Sequence, residues 1–231
     1  MGYYKMIDIE VLIISAGPTG LTIASQLLRL GVRFHIVDKQ KDRTHESCAF
    51  AIQAKSMEIF QNLGLASELI KVARTRMDFV FFINGRKPTE ICFKKFKQQN
   101  SPFPSIYFLP QNKTEHILIK FLERQAIFIE SEQELLFFSQ NKHGVQANIK
   151  DLQTSEIKLV TCAYIIGCDG AHSTVRHTLN FSFEGPAYKQ SFILDDATIN
   201  WPFPYGKFLF VLAKQGIFFH IPLKKTSVEL C

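Results

Sequence analysis

Residues 8 to 14, "DIEVLII", carry a nearly unbroken aliphatic run, which predicts a strand covered on both faces, as in a parallel sheet. The run breaks at Gly17, Pro18 and Gly20. Beyond them Leu21, Ala24, Leu27 and Leu28 recur at helical spacing, and Gly31 supplies a stop. "VRFHIVD", residues 32 to 38, reads as a second strand ending on Asp38. Strand, glycine turn, helix and strand within about thirty residues predict a right-handed β-α-β unit.

Further along, "AIQAKSMEIFQNLG" predicts a helix that stops at Gly64, and "ASELIKVA" a second short one. "DFVFFING" and "TEICF" read as strands, and "NSPFPS" as a proline-broken loop. "NKTEHILIKFLERQ" returns to helical spacing, with Ile117, Leu118, Phe121 and Leu122 as its apolar stripe. "ELLFFSQ", the turn "NKHG", "VQANIKD" and "EIKLV" alternate as a small antiparallel meander. The meander leads into "AYIIGCDGAHSTVRHTL", read as another buried strand, a second glycine turn and a helix. "KFLFVLA" and "GIFFHIPL", within an aromatic-rich final fifty residues, predict a second sheet region. The expected class is α/β: a Rossmann-like nucleotide-binding domain with a parallel sheet and a β-meander, followed by part of a second, antiparallel sheet.

Composition narrows this picture. At 231 residues and 46% hydrophobic content the chain can bury one large core or two modest ones. Five scattered cysteines, Cys48, Cys92, Cys162, Cys168 and Cys231, include no C-x-x-C pair. They suggest neither a disulfide framework nor a zinc cluster, and point to a reducing cytoplasm. No apolar run approaches the roughly 20 residues of a membrane span, and Asp8 and Glu10 stand where a signal peptide would want positive charge. The net charge of +6 traces to residues 71 to 124, with eleven Lys or Arg against four acids. Without any nucleic-acid motif, that excess reads as a solvated face, and no nucleic-acid partner is expected. The histidines at 35, 45, 116, 143, 172, 177 and 220 form no H-E-x-x-H or H-x-H pattern, so no metal site is expected. No nucleophile elbow occurs, and no catalytic residue is nominated.

The candidate chemistry lies in the first glycine turn. In the dinucleotide fingerprint G-x-G-x-x-G the first glycine permits the sharp turn, the second lets backbone amides approach a pyrophosphate, and the third lets the helix pack on the strand. Gly17 and Gly20 fill the second and third places, and Ser15 stands in the first. A serine at a positive φ costs about 1 kcal/mol against glycine. The predicted cradle is Ser15, Ala16, Gly17, Pro18 and Gly20, with Asp38 and Lys39 at the end of the second strand. The helix N-terminus offers N–H groups to phosphates. Asp38, 18 residues after Gly20, can accept ribose hydroxyls.

"DIEVLIISAGPTGLTIASQLLRLGVRFHIVDKQ" together with "YIIGCDGAHSTVR" resembles the flavin-dependent aromatic hydroxylases, the group of phenol, para-hydroxybenzoate and polyketide hydroxylases. The resemblance implies FAD as cofactor, NAD(P)H as reductant, and hydroxylation of a small aromatic substrate with O2. It implies cofactor-side roles for Asp169, Gly170 and Arg176, with Gly167 and Ser173 also matching the second motif. "SCAFAIQAKSMEIFQNLGL" and "LPQNKTEHILIKFL" carry it further and place Gln53 and Gln111 beside the cofactor, with Cys48 where relatives commonly have an arginine.

On this resemblance residues 1–180 form the FAD-binding domain, residues 76–108 lend strands to the substrate side, and residues 181–231 are incomplete substrate-domain strands. The family's third motif, a G-D turn, does not occur after residue 170, so the expectation is an N-terminal portion, truncated, completed by a second chain or a homo-oligomer. Three readings stay open: a working monooxygenase or a subunit of one, an inactive relative that keeps the fold, and a nucleotide-binding or regulatory module. A simple NAD dehydrogenase would have no place for the second glycine turn.

Overall fold

The structure, a computed structural model, describes residues 9–41, 50–75, 78–86, 88–91, 101–103, 106–186, 191, 193, 195–197, 206–224 and 227–230. Its contacts divide the chain into two compact units, each made of two separate stretches. One comprises Met1–Arg43 with Glu115–Pro186, the other Thr44–Thr114 with Ala187–Cys231. The sequence reading sets 1–180 against 181–231 with residues 76–108 lending strands to the substrate side; by contacts, residues 44–114 group with the C-terminal stretch.

The first unit is built on one six-stranded sheet. β1 (Ile9–Ile14), α1 (Pro18–Arg29) and β2 (Phe34–Asp38) form the anticipated parallel crossover, with Val11 to Ile14 in register with Phe34 to Val37. β1 lies inside the sheet between β2 and β10 and is buried along almost its full length on both faces, which fits a sequence that does not alternate. The helix ends at Arg29, and Gly31 takes a φ of 71° just beyond it, the left-handed stop that glycine adopts without strain.

On the far side the meander runs β8 (Gln133–Asn141), β9 (Gly144–Asp151) and β10 (Ile157–Gly167). "EIKLV" and "AYIIG", read above as two strands, are one eleven-residue strand that changes partner midway. Ile157 to Cys162 pair antiparallel with β9, and Cys162 to Gly167 pair parallel with β1. Cys162 is the shared residue. It is fully buried with Leu12, Ile14, Val145, Ala147 and Phe138, and burial pushes its thiol up to about 11, so it stays protonated as an apolar filler. A two-residue β7 (Glu130–Ser131) extends the sheet beyond β2, giving the order β7-β2-β1-β10-β9-β8. α4 (Gln111–Glu123) lays Ile117, Leu118 and Leu122 inward, and α5 (Thr174–Thr178) follows β10.

The second unit holds a second six-stranded sheet in the order β11-β14-β13-β12-β4-β5. β4 (Asp78–Ile83) and β5 (Thr89–Ile91) join β12 (Lys207–Ala213), β13 (Gly216–Lys224), β14 (Ser227–Leu230) and β11 (Asp195–Ala197). The sheet is antiparallel except where β4 lies parallel to β12. One face carries a run of phenylalanines in register: Phe79 and Phe208 stack with ring centroids 4.9 Å apart, Phe81 and Phe210 likewise at 4.9 Å, and Phe219 meets Phe210 edge-on at 4.7 Å. The first predicted helix of this unit is shorter than its pattern. Ala51–Ile52 is a short strand, β3, paired with β6 (Tyr107–Phe108), and α2 begins only at Ala54 and runs to Asn62. α3 (Ala66–Val72) follows. Among the described residues no helix is long and apolar enough to cross a membrane.

Candidate functional site

Both predicted glycine turns leave the sheet at the same edge. In the register Ile14 lies beside Val37 on one side and Gly167 on the other, so the carboxyl ends of β1, β2 and β10 are neighbours. Main-chain bonds fasten the turns to those ends: the Ser15 N–H donates to the Val37 carbonyl at 2.8 Å, and the Cys168 N–H to the Ile14 carbonyl at 2.8 Å. Ser15, Asp38 and Asp169 therefore follow three adjacent strand ends, the part of an open α/β sheet where ligands bind.

The three positions of the fingerprint differ in what they require. Ser15 takes a φ of 81°, the left-handed region that favours glycine. A Cβ on Gly20 would lie 1.9 Å from the Ser15 carbonyl oxygen, so only glycine lets α1 start this close to the turn. Gly17 is the opposite case. Its φ of −68° and ψ of −176° suit any residue, and a Cβ there would meet nothing within 4 Å. Among the described residues nothing calls for glycine at that place; an approaching ligand would. No side chain caps α1, and Pro18 removes one N–H from its first turn, which leaves the start of the helix open to an external acceptor.

Asp38 is buried at 4% exposure and ties this edge together. Its Oδ2 accepts the Ala16 N–H at 2.6 Å and the Ser15 hydroxyl at 3.2 Å, and its Oδ1 accepts the Gln40 N–H at 2.8 Å. Sequence reasoning placed Ser15 in the cradle as a departure from glycine and gave its side chain no task. Its hydroxyl bond to Asp38 went unread because a partner 23 residues away shows no local pattern, whereas the Gln40 amide lies only two residues beyond Asp38, the spacing of a local side-chain turn. Lys39 is exposed beside them.

At the second turn Gly170 takes a φ of 75°, and a Cβ on Gly167 would stand 2.7 Å from the Cβ of Val175, so glycine there lets α5 pack on the strand end. Asp169 faces its own turn: the Ser173 hydroxyl donates to its Oδ1 at 2.6 Å, and the Val175 N–H to its Oδ2 at 3.3 Å. Ser173 in turn caps α5 by accepting the Arg176 N–H at 3.0 Å. The Arg176 guanidinium donates to the Ala171 carbonyl at 2.7 Å and lies 4.9 Å over the Phe183 ring. A serine ahead of a short helical run was the readable signal for this cap. Burial, with the Asp169 charge adding to it, pushes the Cys168 thiol up to about 11 and keeps it unreactive.

Gln53 and Gln111 belong to the other unit. Gln53 is exposed at the N-cap of α2, and Gln111 is the first residue of α4, half-buried after Pro110. They leave the antiparallel β3–β6 ladder at opposite ends, so that ladder does not bring them together. Cys48 lies outside the described residues.

A parallel crossover whose glycine turn, helix start and buried acid share the carboxyl edge of the sheet defines a dinucleotide-binding α/β fold. The chain matches the family described as FAD binding domain over residues 8–228, and it belongs to that family. It is 30% identical over 221 residues to pentachlorophenol 4-monooxygenase of Sphingobium chlorophenolicum, an alignment that covers 90% of this chain and 40% of that protein. It is 31% identical over 178 residues to 6-methylpretetramide 4-monooxygenase of Streptomyces rimosus, covering 77% of this chain and 31% of that one. Among solved structures, p-nitrophenol 4-monooxygenase from Pseudomonas putida DLL-E4 superposes with a TM-score of 0.84 at 20% identity, over 96% of this chain and 57% of that chain. At that identity the likeness is one of fold. The chain spans well under two thirds of the length of each of these proteins. The resemblance to FAD-dependent aromatic hydroxylases read from the two glycine motifs agrees with all three.

Proposed function

We propose that this chain forms the FAD-binding part of an aromatic-ring monooxygenase, holding the adenosine diphosphate half of FAD at the shared edge of β1, β2 and β10. The observation that carries the reading is the unfilled space at Gly17, a glycine that neither backbone angle nor packing demands, beside an uncapped helix start and a buried carboxylate. In this reading the amides of Gly17, Thr19 and Gly20 face the pyrophosphate, the Ala16 amide being held by Asp38, while Pro18 presets the first helical turn and Asp38 accepts the ribose hydroxyls. Lys39, Gln53, Gln111, Asp169, Gly170 and Arg176 are proposed cofactor contacts by resemblance. For Asp169 and Arg176 that role runs through the backbone of the turn they stiffen.

FAD supplies the oxygen chemistry when bound, and the chain's own part is to bind and orient it. NAD(P)H is the proposed reductant and a small phenol-like ring the proposed substrate, after the pentachlorophenol and p-nitrophenol named for two relatives.

Purified protein should turn yellow with FAD and hold it through gel filtration. Protein that stays colourless after incubation with excess FAD overturns the reading. Gly17→Ala separates binding from folding. The methyl group has room, so stability should stay within about 1 kcal/mol of the parent, while FAD affinity should fall by about tenfold or more because the pyrophosphate can no longer approach the backbone. Urea titration and fluorescence quenching of FAD read the two effects independently. Oxidation of NADPH in the presence of O2 and a phenol then tests turnover.

A further inference from the structure

We propose that the Ser15 hydroxyl is a positioning group for Asp38, setting the orientation in which the carboxylate meets a nucleotide ribose. The inference rests on the reading of this edge as an adenine-dinucleotide site, and it assigns a task to the one fingerprint position where the chain departs from glycine.

At a φ of 81° glycine would sit without strain, whereas serine is strained, so the turn geometry alone gives no reason for a side chain there. That side chain reaches Asp38 Oδ2 at 3.2 Å, and the amide of the next residue reaches the same oxygen at 2.6 Å. Two donors from consecutive residues thus hold one oxygen on the β1–α1 turn, while the Gln40 amide holds the other from the β2 side. A carboxylate torsion is soft, with broad wells. Beside the two amides the Ser15 hydroxyl is a further donor to the same carboxylate, and each added donor narrows the range of that torsion. Because Asp38 is buried, each donor to its charge acts in a low-dielectric setting where it counts for more than it would in water. A ribose presents a vicinal diol, so a carboxylate held in one plane gains over one that must be ordered on binding.

The test uses the full 231-residue chain with ADP as probe, read by isothermal titration calorimetry alongside thermal unfolding. Ser15→Gly relieves a strained φ but removes a donor to a buried carboxylate, so the two effects oppose and the unfolding midpoint should shift by no more than about 4 °C, while ADP weakens by about five- to tenfold. In an Asp38→Asn background the same substitution should change ADP affinity by less than about twofold, since the coupled partner is gone. With 2′-deoxy-ADP, which lacks one ribose hydroxyl, the Ser15→Gly effect should shrink. A Ser15→Gly chain that binds ADP as well as or better than the parent overturns the proposal while leaving the nucleotide reading intact, and so does a loss that persists undiminished beside Asp38→Asn. A parent chain that binds neither ADP nor FAD overturns both.

Discussion

Gly20→Ala should destabilise the first unit by about 3 kcal/mol or more, lowering the unfolding midpoint by about 6 to 12 °C. Helix propensity alone predicts the opposite sign, since alanine is about 1 kcal/mol better than glycine in a helix. Geometry outweighs propensity here because the new Cβ would stand 1.9 Å from the Ser15 carbonyl oxygen and 3.1 Å from its carbon. Those are main-chain atoms of a turn pinned at both ends. The Ser15 N–H is bonded to Val37, and the Ala16 N–H to Asp38. For the carbonyl to swing away, one of these bonds must break or α1 must lift off the sheet, where Leu21 and Ala24 are fully buried. Urea titration of Gly20→Ala beside Gly17→Ala reads the contrast directly. Two alanines three residues apart should act in different ways, one on the fold and the other on the ligand. A Gly20→Ala chain as stable as the parent would show that α1 does not start as close to the turn as described.

That contrast also marks how far the sequence could be read. The β1–turn–α1–β2 crossover and its terminal acid were legible because each depends on local rules: an unbroken aliphatic run, proline at a helix start, glycine after its end, and a fixed distance to Asp38. The cradle residues on that crossover came with it. What was not legible depends on partners remote in the chain. β10 looked like two strands because its halves face different neighbours, β9 and then β1, and only the pairing shows that the chain does not turn between them. β3 is hidden inside a helical pattern because two residues paired with Tyr107 and Phe108 outweigh a helical propensity spread over fourteen positions. The resemblance already assigned residues 76–108, which contain β4, to the substrate side; that residues 44–75 group there as well shows only in the contacts. Ser15 is the same case on the scale of one side chain, a strained choice locally and a bonded one once Asp38 is in place.

The second large effect is one of pH, and it belongs to the second unit. His220 on β13 is 2% exposed, set opposite Leu209 on one side and Leu230 on the other in the ladder. Burial pushes its imidazole down to about 4, from an ordinary value of 6.5. Above pH 6.5 the ring is neutral in the folded and unfolded chains alike, so the shift has no effect. Between pH 6.5 and about 4 the unfolded chain takes up a proton that the folded chain refuses, and stability falls as the pH drops, with the full loss reached below 4. The difference amounts to about 3 kcal/mol, a large share of the 5–15 kcal/mol typical of a domain. The half-buried Asp151 acts lower down: hydrogen bonds led by the Thr154 amide hold its carboxyl at about 2, so its contribution is lost only as the pH falls below its ordinary 3.8. The window from 6.5 to 4 is therefore the one in which His220 can be read. Urea titrations at pH 7, 5.5 and 4.5, followed by near-ultraviolet circular dichroism of the phenylalanine-rich sheet, should show a steady decline in the parent chain. His220→Leu, of similar volume and without a titrating ring, should flatten that decline. An equal slope in both chains would mean that the proton taken up on acid unfolding goes elsewhere, and that His220 is not held neutral in the fold.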